Sequence, residues 1–380
     1  LKKTGIAITV AFILCIAGIS VSSLFAEDRE FSPNENRYLA EAPTLTASKL
    51  LSGEFQDDLE DYLRDQICFR DSWITIKTAI QKACGNTDIG GAYVGSDGYD
   101  FEKITPEDVD DKLVKRNIRA VSDYFADTAD KLGSDKLSFL LVPTSGLVMA
   151  DKLPENARLF DQSAYIAQVK EAVADYNFID VQDTLIENSD EYIYYRTDHH
   201  WTSAGAYLSY EKFCESMGRS FTDINDLTEN TVTEEFRGSL YSKILDADSA
   251  YDSIWTYNDF DAPMLVDNDS SYDSIYDETK LSEKDKYAYF FGGNYGEIYV
   301  DGTGEGNLLL VKDSFANSFV PMLTQDYDTI YMVDLRYYNG DMTEYLTEHN
   351  ITEVLVLYNI SNFISDRNIY KLSSGINKKG

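Results

Sequence analysis

The apolar positions along the chain fall into three patterns. From Ile6 to Ala26 no charged residue interrupts the run, which follows two lysines and gives way to "EDRE". A segment of that length and flank reads as a signal peptide or a retained membrane anchor, with the amino terminus on the cytoplasmic side and the body exported. The run is long for a cleaved segment, so the retained anchor is the favoured expectation. Residues 27–55 are rich in turn formers and read as a tether. Beyond them Leu59, Leu63, Ile67, Trp73, Ile74, Ile76 and Ile80 recur at helical spacing, broken at "CFRDS", and predict two short helices. "AYVGSDGYDFE" alternates around Ser-Asp-Gly and predicts a hairpin.

From residue 108 the pattern alternates between the two periods. Residues 108–132 and 163–176 read as helices, and a third helix is capped by Thr202 and ended by Gly218. "KLSFLLVPTSG", "FIDVQDTL", "NLLLVKD", "TIYMVD" and "EVLVLYN" read as strands, the last three apolar enough to be buried on both faces. Such alternation predicts an α/β fold with a parallel sheet between helical layers. Between Arg219 and Gly306 the rhythm fails, and a stretch dense in Asp, Ser and Tyr reads as an irregular, β-rich insertion of strands and loops, a lid or a binding face.

Composition narrows the function classes. With 66 acidic against 33 basic residues the formal net charge is -33, which opposes nucleic acid and polyanionic polymers. Cys68, Cys84 and Cys214 lack the spacing of a zinc site or a disulfide framework; a Cys68–Cys84 bridge and buried free thiols are the two readings, the second favoured. The 28 tyrosines and Trp255 suit stacking on sugar rings if they are exposed.

Two blocks carry chemistry. In "LLLVKDSFANSF" an apolar strand runs into Asp313-Ser314 and a helical pattern follows at once, so Ser314 sits where nucleophiles of α/β hydrolytic enzymes sit, beside unpaired helical N–H groups. A plain helix cap is the competing reading. In "RTDHHWTSAGAY" Asp198 and His200 supply an acid and a base just ahead of a helix whose positive end would help keep the imidazole neutral. A metal site would need further ligands, and the chain's other histidine is His349. Trp201 and Thr202 read as packing and capping.

Together "FSPNENRYLAEAP", "DQICFRDSW", "GGAYVGSDGYDF", "RTDHHWTSAGAY", "VKDSFANSF" and "VLVLYNISNF" resemble, in order, the DHHW family of bacterial exported proteins, a group similar to the alginate O-acetyltransferases of the SGNH-hydrolase class. The resemblance implies a three-layer SGNH-hydrolase-like fold with circularly permuted motif order, since Asp-x-His precedes the serine. With the readings of the residues above, the chain then divides into a signal peptide or anchor over 1–26, a tether with short helices over 27–90, and, as the resemblance implies, an SGNH-like catalytic domain over 91–380 with the insertion at about 219–306. The resemblance also implies the triad Ser314, His200 and Asp198. Candidates for oxyanion or substrate contacts are Asn317, Thr144, Ser145, Arg196, His199 and Trp201. The activity implied is extracytoplasmic acetylation of a polysaccharide through an acetyl-serine, with a membrane-bound O-acyltransferase as acetyl supplier and no cofactor or metal. An esterase with the same triad and a non-catalytic glycan-binding scaffold are the alternatives.

Overall fold

A computed structural model describes residues 2–35, 37–257 and 260–375. The chain divides into two units, Leu1–Gly90 with Tyr241–Asp248, and Gly91–Leu240 with Ser249–Gly380.

In the first unit the uncharged run, up to Phe25, lies in the helix Lys2–Phe25, none of whose apolar window is buried. The tether carries some order of its own, since Thr46 caps a short helix, Ala47–Ser52, by accepting from the N–H of Lys49. The two helices predicted next are Glu54–Gln66 and Arg70–Ala83, separated at Phe69, whose φ of 61° breaks the helical path. Cys68 and Cys84 are free, and Cys84 is exposed rather than buried.

The second unit is built on an eight-stranded sheet. Five strands are parallel, in the order Thr329–Val333, Asn307–Lys312, Glu353–Asn359, Leu137–Val142 and Asn177–Ile179. Their side chains alternate between two cores. Leu308, Leu310, Leu355 and Leu357 face one, while Leu309, Val311, Val354 and Val356 face the other, as period-two strands between two layers must.

Two expectations need correction. The sheet is not parallel throughout: within the insertion Glu297–Asp301 pairs antiparallel with Thr329–Val333, and Met264–Val266 and Ser270–Tyr272 extend that edge, so the sheet is mixed. "FIDVQDTL" is a strand only through Ile179, because the Asp180 carboxylate accepts from the Gln182 N–H and starts a helix, Gln182–Glu187. The predicted hairpin is present as Ala92–Val94 against Asp100–Glu102. Helices Asp111–Leu132, Gln162–Ala172 and Ser203–Met217 match the periodic segments, the last with Thr202 accepting from the Gly205 N–H and Gly218 at φ 63°.

Candidate active site

The Asp-His-His run occupies the tip of a tight reversal. Tyr194 bridges Trp201, the Tyr195 N–H donates to the His200 carbonyl at 3.2 Å, and the Thr202 N–H donates to Ile193 at 2.9 Å. The reversal is held from the insertion by Asp252, which is fully buried. Its carboxylate accepts from the N–H groups of Arg196 and Thr197 at 2.8 Å, from Thr197 Oγ1 at 2.6 Å and from the Tyr192 hydroxyl.

Ser314 is reached from the sheet. It follows the strand Asn307–Lys312 and opens a 3₁₀ helix, Ser314–Ser318. Asp313 caps that helix through one oxygen, accepting from the Phe315 N–H at 2.9 Å, and ties it to the next strand through the other, accepting from Asn359 N–H and Asn362 Nδ2 at 2.8 Å each. The N–H of Ser314 meets no acceptor among the described residues.

His200 stands between the two elements. Its Nδ1 lies 2.6 Å from Asp198 Oδ1 and its Nε2 2.7 Å from Ser314 Oγ, with all three residues less than a tenth exposed. Asp198 is oriented in turn: Oδ1 also accepts from the His200 N–H at 2.9 Å, and Oδ2 accepts from the Ser239 N–H at 2.7 Å. Gly238 makes that approach possible, because a Cβ there would stand 2.2 Å from Asp198 Oδ2. Burial opposes the Asp198 charge, yet the facing imidazoles of His200 and His199 outweigh it and hold the carboxyl well below the usual range. Burial, with His199 alongside, lowers His200 to about 4, so at neutral pH the ring is a neutral base beside an ionised acid. Burial is the largest of the causes that keep this ring neutral.

The other candidate residues divide. Asn317 sits three residues after Ser314 in a helix of three residues per turn, so both project from one side. Its Oδ1 accepts from Lys312 Nζ at 2.8 Å, and because an ammonium only donates, the amide N–H groups face away from the lysine. Lys312 is buried and also donates to Asn294 Oδ1 at 3.2 Å; burial lowers it to about 8. Thr144 is engaged by Gln162 through both its N–H and its hydroxyl, and Ser145 is buried in the short helix that follows. The Arg196 guanidinium stacks on Tyr192 and Tyr99, at 4.7 and 5.5 Å from the ring centres. Trp201 is fully buried, donating to the Phe315 carbonyl at 2.9 Å and stacking on Phe319. His199 faces Ser239 Oγ through Nδ1 at 2.7 Å and remains partly exposed.

Residues not singled out in the sequence complete the site. The Tyr287 ring covers His200, and its hydroxyl donates to the Ser314 carbonyl at 3.1 Å. Trp255, expected to be exposed, is 9% exposed and packs on Tyr192, so it offers no face to a sugar. Asp198, His199 and His200 can bring one ligand atom each within 4.8 Å of the others. A metal bound through a His200 nitrogen would have to displace that nitrogen's contact, with Asp198 at Nδ1 or with Ser314 at Nε2.

Residues 168–333 match the family model described as DHHW protein. No curated protein sequence matches the chain. Among solved structures the chain is similar to a DHHW family protein from Eubacterium siraeum DSM 15702, with a TM-score of 0.62 and 22% identity over 75% of this chain and 95% of that one. It is also similar to Bacillus cereus PatB1, with a TM-score of 0.60 and 23% identity over 73% of this chain and 97% of that one. PatB1 with a sulfonyl adduct gives a TM-score of 0.56 at 23% identity, over 69% of this chain and 92% of that one. These likenesses speak to the fold. Over residues 168–333 the chain is similar to the DHHW protein family.

Proposed function

We propose that this protein transfers acetyl groups to hydroxyls of a cell-surface or secreted polysaccharide, outside the cytoplasm. The observation that carries the reading is the position of His200, within hydrogen-bond distance of Asp198 on one side and Ser314 on the other. A neutral His200 takes the Ser314 proton as Oγ attacks the acetyl carbonyl of a donor. The proton then goes to the departing donor group, leaving acetyl-Ser314. A sugar hydroxyl attacks that ester while His200 takes its proton, and the proton returns to Ser314 Oγ as the acetylated sugar leaves. The unpaired Ser314 N–H and the Asn317 amide are the groups that would stabilise the oxyanion in both halves.

The motif order, Asp-x-His ahead of the serine, we read as a circular permutation of the SGNH-hydrolase arrangement. Because acetyl-CoA is cytosolic, the donor would be a membrane-bound O-acyltransferase, and the helix Lys2–Phe25 would hold the domain beside it as an uncleaved anchor.

The test is turnover of a chromogenic acetyl ester with and without a neutral oligosaccharide, by the parent chain and by Ser314→Ala. Turnover that needs Ser314, with acetyl appearing on the sugar, supports the reading. Turnover indifferent to Ser314→Ala overturns it, and release of acetate with no acetylated sugar favours the esterase. A sulfonyl fluoride, chosen because PatB1 is known with a sulfonyl adduct, should add its mass to the parent and not to Ser314→Ala.

A further inference from the structure

The helix Arg70–Ala83 has its polarity reversed. Three of its polar residues are held within the unit: Thr78 Oγ1 donates to the Ile244 carbonyl at 2.6 Å, Lys82 pairs with Asp246, and buried Arg70 pairs with Glu35 and Asp65. Its outward stripe is apolar. Trp73, Ile76 and Ile80 are 40%, 49% and 59% exposed and follow the helical period on one face, and Phe69, just ahead of the helix, is 72% exposed. A helix on the surface of a water-soluble body has the opposite distribution, and a contiguous exposed apolar stripe marks a surface that something covers.

The neighbouring apolar helix identifies the covering medium. The N–H of Cys68 donates to Ser23 Oγ at 3.0 Å, and Cys68 Sγ lies 3.7 Å from the Ile19 carbonyl. At about 1.5 Å rise per residue, Ser23 and Ile19 stand about 3 and about 9 Å short of the helix end at Phe25. The turn that begins the reversed helix is therefore level with the last two turns of the apolar segment, the depth of the headgroup boundary if that segment spans a bilayer. Trp73 suits that depth, with an apolar ring exposed and its indole N–H donating to the Cys68 carbonyl at 3.1 Å.

From this geometry we infer that the face formed by Phe69, Trp73, Ile76 and Ile80 rests in the headgroup boundary of the membrane that holds Lys2–Phe25. The occupant is a lipid surface, and the inference rests on the anchor reading given above. Apolar burial supplies the attraction, since a chain of net charge -33 gains nothing overall from anionic lipid. Lys77, exposed on the same helix, can extend its stem across the apolar stripe and keep its ammonium at the headgroups.

The tryptophans make the test direct, because Trp201 and Trp255 are buried and Trp73 is not. The full chain is reconstituted into phosphatidylcholine vesicles, plain or brominated near the carbonyl end of the acyl chains. Emission quenched by the brominated lipid, with the quenching lost in Trp73→Phe, supports the contact; equal emission in both vesicles overturns it. An environment-sensitive dye on Cys15, in a chain with Cys68→Ser and Cys84→Ser, reports the anchor separately. A dye in an apolar setting with no Trp73 quenching leaves the anchor standing and sinks the surface contact. A dye in water with Trp73 still quenched does the reverse. Unquenched Trp73 together with disulfide-linked pairs of an Ile76→Cys chain assigns the face to a second copy and overturns the lipid assignment.

Discussion

The phenol ring of Tyr287 lies over the imidazole of His200, with 3.9 Å between centroids and 12° between planes. A face-to-face lid of this kind restricts the ring that must point at Ser314 and keeps water off one side of it. Tyr287→Leu removes the lid and the bond to the Ser314 carbonyl. We expect kcat for an acetyl ester to fall on the order of tenfold to a hundredfold, the scale of a misplaced reacting group. Tyr287→Phe keeps the lid and should lose far less. Equal losses in the two variants would assign the effect to the hydroxyl.

Gly238 bears on the other end of the same relay. In Gly238→Ala the added methyl meets Asp198 Oδ2, so the carboxylate must swing and His200 loses its anchor. The expected result is a fall in kcat of about 10²-fold or more, accompanied by about 1–3 kcal/mol of destabilisation from overpacking. Steady-state kinetics and thermal unfolding of the same preparation measure both. An unaltered kcat would show that Asp198 tolerates the methyl.

The pH profile follows from His200. As the proposed base His200 works only when neutral, and burial lowers it to about 4 in the folded chain, so kcat/KM should rise with pH through about 4 and be level at neutral pH. An inflection near 6.5 would contradict the burial argument. Stability carries the same signature. Between about 6.5, the ordinary histidine value, and about 4 the unfolded chain binds the proton that the folded one refuses, so stability declines as pH falls through that window. His200→Gln should flatten that part of the curve.

Asn317→Ala tests the proposed oxyanion donor, with a loss of about 10² in kcat and little change in KM. Lys312→Met tests its holder. The methionine fills the buried volume but gives Asn317 no donor, and the loss should fall between those of the parent and Asn317→Ala. A change confined to KM in either variant would remove both residues from transition-state stabilisation.

How much of this was visible in the sequence follows from what each residue needs. The central strands announce themselves because burial on both faces demands uninterrupted apolar runs, as in "NLLLVKD" and "EVLVLYN". Asp198, His200 and Ser314 stand out because their residue types and local settings suggest roles before any contact is known. Tyr287, Gly238 and Asp252 have no such mark. Each lies in the aperiodic stretch 219–306, and each acquires meaning only through a partner 40 to about 90 residues away: Gly238 against Asp198, Asp252 against Thr197, Tyr287 over His200. The strand at "FIDVQDTL" was overextended for a local reason, since Asp180 offers the backbone a helix start that apolar patterning does not record.

The 114 residues between His200 and Ser314 have a consequence for the life of the chain. Neither the reversal that presents the base nor the strand that presents the serine can activate the other until the sheet has assembled and the insertion has closed over both. Contacts so distant along the chain form late in folding. On the proposed export, a chain that crosses a membrane unfolded would carry Ser314 through the cytoplasm without its base beside it, and would gain the proposed nucleophile only at its destination.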